Sequence, residues 1–303
     1  MLANLFQRMR GLISGKRLVI SIPMIWLFTL AAAPLLIALD FSFSQMDIAS
    51  VASLTQWADN TLTIKLNLGN YLFLGDDPLY FKTYLSSLKF AGTTTLWCLV
   101  LGYPFAYFMA RARAHLRPML LMLVMLPFWT SFLLRIYAWK TLLISNGLVN
   151  NALMALGIID APLQMLNTPF SLTIGMVYAY LPFMILPLYA NLVKMDTRLI
   201  EAAADLGASP WKTFWLITVP LSKRGIIAGS LLVFIPAVGE YVIPELLGGP
   251  ETIMIGRVLW DEFFSNNDWP MASAVTIVMI LLILVPMAIF NKYSDGGQEG
   301  EKT

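Results

Sequence analysis

The chain has 303 residues, 58% of them hydrophobic and only 13% charged, with a formal net charge of +2 and a mean hydropathy of +0.71. So little charge on so apolar a chain excludes an ordinary soluble domain and points to an integral membrane protein. One cysteine, Cys98, and one histidine, His115, exclude an internal disulfide, a cysteine metal cluster and a histidine-rich metal site.

Residues 1–17 place Leu2, Leu5, Phe6, Met9, Leu12 and Ile13 on one helical face, with Arg8, Arg10, Lys16 and Arg17 elsewhere. That spacing predicts an amphipathic segment lying on the inner leaflet, with a partner-binding role as the alternative. The membrane-embedded part is expected over 18–292, with a short tail over 293–303. Six stretches reach the ~20 apolar residues that cross a bilayer core as helix. They lie at about 18–43, 86–110, 119–144, 170–193, 225–247 and 271–291. The first reads as an uncleaved anchor. Its run Ala31-Ala32-Ala33 is followed by Pro34, a poor cleavage context, and the apolar stretch continues past it.

The loops on one side are long or acidic. The first, about 44–85, holds Leu68-Gly69-Asn70-Tyr71 and the pair Asp76-Asp77 before Pro78. The second, about 145–169, has no Lys or Arg. The third, about 248–270, carries Asp261, Glu262 and Asp268 among Trp260, Phe263, Phe264 and Trp269. Acid and aromatic rings suit docking of a soluble partner, or equally a solvated loop whose rings sit at the interface. Inside the spans, prolines such as Pro104, Pro127, Pro182, Pro187, Pro236 and Pro244 each remove a backbone donor and favour kinks. Gly225 and Gly229 form a GxxxG pair, which predicts a close helix contact.

Basic residues sort the loops. Of the twenty Lys and Arg residues, fourteen fall before the first span, between spans two and three, between spans four and five, or in the tail. Only Lys65, Lys82, Lys89 and Arg257 fall on the other side, and Arg135 and Lys140 lie within span three. The positive-inside rule then places both termini in the cytoplasm.

The basic loop between spans four and five, over 196–220, encodes a helix, a sharp turn and a second helix. Asp196 or Thr197 can cap a helix through Leu206. Gly207 suits a left-handed position just past its end. Ser209-Pro210 supplies an N-cap and a first-turn proline for the next helix. Ala202, Ala203 and Ala204 keep the first helix thin enough to enter a groove, and Glu201 offers a charge to a basic partner. An ordinary surface hairpin of two helices is the plainer reading.

The spacing Glu201-Ala202-Ala203, then Gly207, Ile217 and Val219-Pro220 resembles the cytoplasmic EAA loop of permease subunits in bacterial binding-protein-dependent ABC importers. Val219 stands where that pattern more often has Leu. The runs LGYPFAYFMAR, LPFWTSFLLRIYAW, GMVYAYLPFMILPLY and FIPAVGEYVIPELLGGP are similar to putrescine/spermidine permeases of type I importers, with the putrescine type the nearer match. The resemblance implies an all-α integral membrane protein. It would have six transmembrane helices in the type I ABC importer permease fold, with a cytoplasmic coupling helix between spans four and five. It also implies that Glu201, Ala202, Ala203, Gly207 and Pro220 couple to a partner ATPase. The implied assembly is a heterodimer with a second homologous permease, two ATPase subunits and a periplasmic polyamine-binding protein in the inner membrane, and no nucleic acid. ATP and Mg would sit on the ATPase subunits, so this chain binds no cofactor of its own.

The chain's own motifs agree with that division. A phosphate-binding loop needs GxxxxGK followed by Ser or Thr. The nearest run, Gly11 to Arg17, is one residue short and ends in Arg. No HExxH, GxSxG or paired metal ligands occur. No enzymatic role is expected.

A polyamine path should offer carboxylates, carbonyls and aromatic faces. Glu240 lies about 22 Å from the inner end of span five at 1.5 Å per residue, and a carboxylate at that depth is a functional candidate. Tyr241 adjoins it, and Asp40 and Glu245 fall near the outer mouth. Arg135 in span three is also intramembrane, so Glu240 serves the path or pairs with Arg135. The expected function is ATP-driven polyamine import by alternating access, putrescine favoured over spermidine. The alternatives are the same machine for another small solute, or a secondary transporter.

Overall fold

The computed structural model describes residues 15–47, 50–51, 55–58, 61–64 and 66–295. The amphipathic segment expected over 1–17 therefore lies outside the described residues as far as residue 14, and the expected tail lies outside them beyond residue 295. Contacts divide the chain into two units. One comprises Met1–Asp76 with Glu262–Val278, the other Asp77–Asp261 with Met279–Thr303.

The first unit opens with α1, Gly15–Ser42. Its stretch Val19–Ser42 is long and apolar enough to cross a membrane, and most of its side chains are exposed. Two short antiparallel hairpins follow, β1 Met46–Asp47 with β2 Ser50–Val51 and β3 Thr55–Ala58 with β4 Thr61–Ile64. From the sequence this region is expected as an external loop, and the structure adds pairing to it. The segment is rich in Thr and carries Trp57, residue types that favour a pleated backbone. Next comes α2, Gly69–Asp76. Its Asn70 Nδ2 donates to the carbonyls of Ser42 (3.0 Å) and Ser44 (2.9 Å), and the Tyr71 hydroxyl donates to Ser42 Oγ at 2.8 Å. The Leu68–Tyr71 run thus ties off the end of α1.

The second unit begins with α3, Pro78–Arg111. It starts eight residues before the expected span because Asp77 caps it, accepting from Leu79 N–H at 2.8 Å with Pro78 in the first turn. α4, Arg117–Met125, runs into a 3-10 turn at Leu126–Trp129, and α5, Phe132–Leu143, continues toward α6, Leu148–Ala155. The stretch expected as one span over 119–144, with a kink favoured at Pro127, is a broken pair bent by 84°. Pro127 sits at the start of the 3-10 turn, behind Leu126, and Thr130 is extended, so the ladder of helix hydrogen bonds ends there. α7, Pro169–Leu192, is continuous despite Pro182 and Pro187. Then come α8, Arg198–Asp205, α9, Pro210–Thr213, and α10, Val219–Leu221. They lead to α11, Lys223–Val238, α12, Val242–Leu247, and α13, Ile255–Trp260. α14, Trp269–Asp295, closes the described chain, and its part from Met279 onward belongs to this unit.

The core of the second unit is formed by α3, α7 and α11 packing on one another. Cys98, Leu172, Met176, Met184, Leu188 and Val233 are buried there. The GxxxG pair performs the close contact its spacing predicts. A Cβ on Gly225 would stand 2.8 Å from Asn191 Cβ, and one on Gly229 would stand 2.8 Å from Met184 Sδ and 3.1 Å from its carbonyl. Glycine at these two sites lets α11 approach α7 closely. Among the described residues, three helices are long and apolar enough to span a membrane alone, two bent pairs qualify jointly, and Trp269–Val285 is a shorter apolar helix.

Candidate functional site

Two regions gather the residues singled out by sequence. The first is the helical hairpin between α7 and α11. Its opening turn is held by Asp196, whose Oδ1 accepts from Arg198 N–H at 3.0 Å, while Thr197 makes no capping bond. α8 ends at Asp205, and Gly207 takes φ +78°. Gly207 N–H donates to Ala204 O and Ala208 N–H to Ala203 O, both at 2.9 Å. These are the paired bonds of a Schellman turn, which requires a left-handed residue. Ser209 Oγ then accepts from Lys212 N–H at 3.4 Å, with Pro210 in the first turn of α9.

A π-helical turn over Phe214–Thr218 joins α9 to α10. Its Phe214 ring meets the rings of Tyr103 (5.5 Å, 87°) and Tyr107 (6.1 Å, 87°) edge to face. Tyr103 OH and Ser222 Oγ lie 2.8 Å apart in a hydrogen bond. The hairpin is therefore bolted to the basic end of α3 by one ring and one hydroxyl pair. Of the candidate residues, Ala203 is buried, while Glu201, Ala202, Gly207 and Pro220 are exposed. Around them Leu206 is 89% and Trp211 70% exposed. Apolar side chains that open to solvent mark a surface suited to a partner.

The second region is a break in the stretch expected as span five. α11 stops at Val238, Gly239 caps it, and α12 restarts at Val242. Glu240, half-buried, sits in the break. Its Oε1 accepts from the backbone N–H of Val242 (3.1 Å) and Ile243 (3.4 Å), and its Oε2 accepts from the Tyr180 hydroxyl of α7. The carboxylate thus accepts from the first two amides of α12 and ties the break to α7 at once. The neighbouring elements lean on the same break. Ser87 Oγ accepts from Ile255 N–H at 2.7 Å, and Ser171 Oγ donates to Leu247 O at 2.7 Å; both serines are fully buried. Gly256 lies so close that a Cβ would stand 2.5 Å from Gly239 O and 2.6 Å from Glu240 O.

Tyr241 points to the next helix. Its ring stacks on Trp260 at 4.5 Å and 8°. Glu245 pairs with Arg257 at 3.1 Å, and Asp261 lies 3.9 Å from the same guanidinium. The pairing weighed between Glu240 and Arg135 does not form. Arg135 instead lies over Phe128 (5.1 Å) and Phe132 (5.7 Å), with its Nε buried and without a hydrogen-bond partner. Asp40 stands exposed near the end of α1, in the first unit, where its main-chain carbonyl accepts from Ser44 Oγ at 3.0 Å. The structure therefore brings Glu240 and Tyr241 to one break, puts Glu245 in an ion pair beside it, and leaves Asp40 in the other unit.

Sequence reasoning missed Tyr180, Arg257, Ser87 and Gly256. Tyr180 alone carried a usable signal, since a tyrosine deep in an apolar helix needs a partner for its hydroxyl. Among the described residues, no group of three or more His, Cys, Asp or Glu side chains could hold a metal ion.

Comparison with known proteins gives this geometry a context. Residues 98–296 match the family described as binding-protein-dependent transport system inner membrane component. The chain is similar to the spermidine/putrescine transport system permease protein PotB of Haemophilus influenzae, with 41% identity over 274 residues, covering 89% of this chain and 92% of that protein. The PotB of Escherichia coli K12 is 43% identical over 264 residues, covering 86% and 92%. In fold, the chain resembles a crystallised bacterial ABC transporter involved in import of the acidic polysaccharide alginate, with TM-score 0.69, 19% identity, and 95% and 98% of the two chains covered. A second alginate transporter structure, in complex with its alginate-bound periplasmic protein, gives TM-score 0.72 at 19% identity over 94% of each chain. With a family match across most of its length and relatives above two-fifths identity, the chain belongs to the inner membrane components of binding-protein-dependent transport systems.

Proposed function

We propose that this permease subunit imports polyamines, putrescine ahead of spermidine, by alternating access driven by ATP hydrolysed on two partner ATPases. The observation that carries the substrate class is the identity above two-fifths, over nearly nine-tenths of the chain, to permeases named for spermidine and putrescine. The site adds a physical reason. Glu240 is a carboxylate half-buried among rings and backbone amides, and a cationic amine in transit finds both charge and π faces there.

The remaining parts follow the same reading. The exposed rim of the hairpin, Glu201, Ala202, Gly207 and Pro220 with Leu206 and Trp211, docks into an ATPase cleft. Ala203 holds the rim to the bundle. A second, homologous permease completes the path, and a periplasmic binding protein delivers the amine. Six spans, at about 18–43, 86–110, 119–144, 170–193, 225–247 and 271–291, put both termini in the cytoplasm. Reporter fusions after Lys16, His115 and Met195 should report cytoplasm, and fusions near Asp59, Leu156 and Asp261 the outside. A cytoplasmic signal near Asp59 overturns that topology.

Uptake of labelled putrescine and spermidine into vesicles holding the full assembly tests the function. Glu240→Gln is the informative variant. The amide oxygen still accepts from Val242 and Ile243, and the phenol oxygen of Tyr180 can accept from the new amide, so the fold is expected to stand. Uptake should fall strongly while assembly and basal ATPase activity persist. Near-normal uptake by this variant would sink the role of Glu240 in the path.

A further inference from the structure

A carboxylate inside a helix bundle lowers its energy with hydrogen-bond donors or with a cation. Glu240 uses donors on both oxygens, and the two sides differ in kind. Oε1 takes the amides of Val242 and Ile243, which belong to its own turn and move with it. Oε2 takes the hydroxyl of Tyr180, a residue sixty positions away on α7. That bond joins two separate helices, and its donor is neutral.

Tyr180 is only 8% exposed. Its ring leans on Phe183 (6.2 Å, 41°), which meets Phe128 edge to face at 5.2 Å. The ring is therefore walled in, while the hydroxyl hydrogen is free to turn about its C–O bond.

We infer that Tyr180 is a displaceable stand-in for the ammonium group of the substrate. Its hydroxyl occupies Glu240 Oε2 while the passage is empty and yields that oxygen to the cation. The inference rests on the reading of Glu240 as a path residue. An ammonium makes a charge-assisted bond to a carboxylate that is stronger than the one from a neutral phenol. The exchange is therefore favourable, but less so than binding to a bare carboxylate. A passage must release what it takes up, and a resident competitor lowers net affinity without removing the charge that attracts the cation. The rings of Tyr180 and Phe183 stay in place as an apolar wall for the methylene chain. Tyr180 is thus a positioning residue that sets how tightly the passage holds its cargo.

Equilibrium binding of labelled putrescine to the purified permease–ATPase complex, without the binding protein, tests this directly. Tyr180→Phe keeps the ring and removes the donor. It should bind the diamine about tenfold more tightly, the worth of one hydrogen bond to a charged group. Replacing Tyr180 with 3-fluorotyrosine, a stronger donor of nearly the same volume, should weaken binding. In a Glu240→Gln background, Tyr180→Phe should change nothing further. A structural role for the ring would not give these opposite signs. Unchanged or weaker binding by Tyr180→Phe, together with weakened binding by Glu240→Gln, overturns the stand-in role alone. Normal binding by Glu240→Gln removes the path reading and this inference with it.

Discussion

The hairpin at 196–222 and the break at 239–241 both interrupt the run of apolar helices, but they are built in opposite ways. The hairpin is specified locally. Asp196, Gly207 and Ser209 each satisfy a helix end within three residues of themselves, and the turn projects into open space. The break is specified from a distance. Tyr180 reaches Glu240, while Ser87 and Ser171 hold the segments beyond it, and Gly256 presses against the break itself. The contrast has a physical logic. An element that must present its surface to another chain keeps its shape through its own caps, because packing on one side only cannot impose it. At the break Glu240 satisfies the next two amides itself, and a neighbouring helix supplies the donor that completes its carboxylate.

The comparison is broken most severely at Gly256. A Cβ there meets two carbonyl oxygens of the break rather than a flexible side chain. Gly256→Val should cost about 3 kcal/mol, the upper end for overpacking. It should appear as a lower melting temperature of the detergent-solubilised complex or as lost expression. A variant of normal stability would mean that the break is not held from behind as described.

The hairpin should respond differently. Nothing lies within 4 Å of a Cβ on Gly207, so a side chain there meets no obstacle. The penalty is conformational, because φ is +78°, and amounts to about 1–2 kcal/mol for a non-glycine residue. Gly207→Val should therefore leave insertion and the bundle intact while lowering uptake and ATPase co-purification, and Gly207→Asn should be milder. Ser209→Ala removes one cap and should cost about 1 kcal/mol or less, its bond being long at 3.4 Å. Normal uptake by Gly207→Val at normal expression would falsify a coupling role for the turn.

This contrast also explains what could be read from the sequence. The hairpin was legible almost to the residue, since Gly207 and Ser209-Pro210 follow local capping rules; only the choice between Asp196 and Thr197 needed the structure. Hydropathy marked the apolar stretches, of which three are long enough as single helices to cross a membrane among the described residues, and the spacing of Gly225 and Gly229 marked their close contact. The break at Glu240 was legible only as a buried charge. Its partner was sought in Arg135, another intramembrane charge, whereas the bond goes to a neutral tyrosine on α7. Long-range pairing of that kind leaves no local pattern. The bend after Met125 was hidden for a related reason. Pro127 was visible, but Pro182 and Pro187 lie inside an unbroken α7, and nothing in the residue type separates the two outcomes. At the end of span five, the charged residue that Glu245 meets is Arg257, which the topology had placed as the one basic residue of the third outer loop.

The smallest expected effect sharpens the comparison from the other side. Glu245 and Arg257 bridge α12 and α13 next to the break, with both side chains 38% exposed. Water therefore screens the pair, and holding two long side chains in one geometry costs entropy that offsets much of the attraction. Glu245→Gln should change stability by under about 1 kcal/mol. Half-exposed charges are also screened by salt, so even this difference should shrink as ionic strength rises. Melting temperatures of the wild-type and Glu245→Gln complexes at low and high salt measure it. If the variant lost several times that amount, and lost it equally at both salt levels, the pair would be a desolvated strut of the break and not a bridge on its rim. Such a result would extend the long-range specification of the break out to its most exposed residues. The expected small, salt-sensitive change instead confines that specification to the buried contacts of Glu240, Ser87, Ser171 and Gly256.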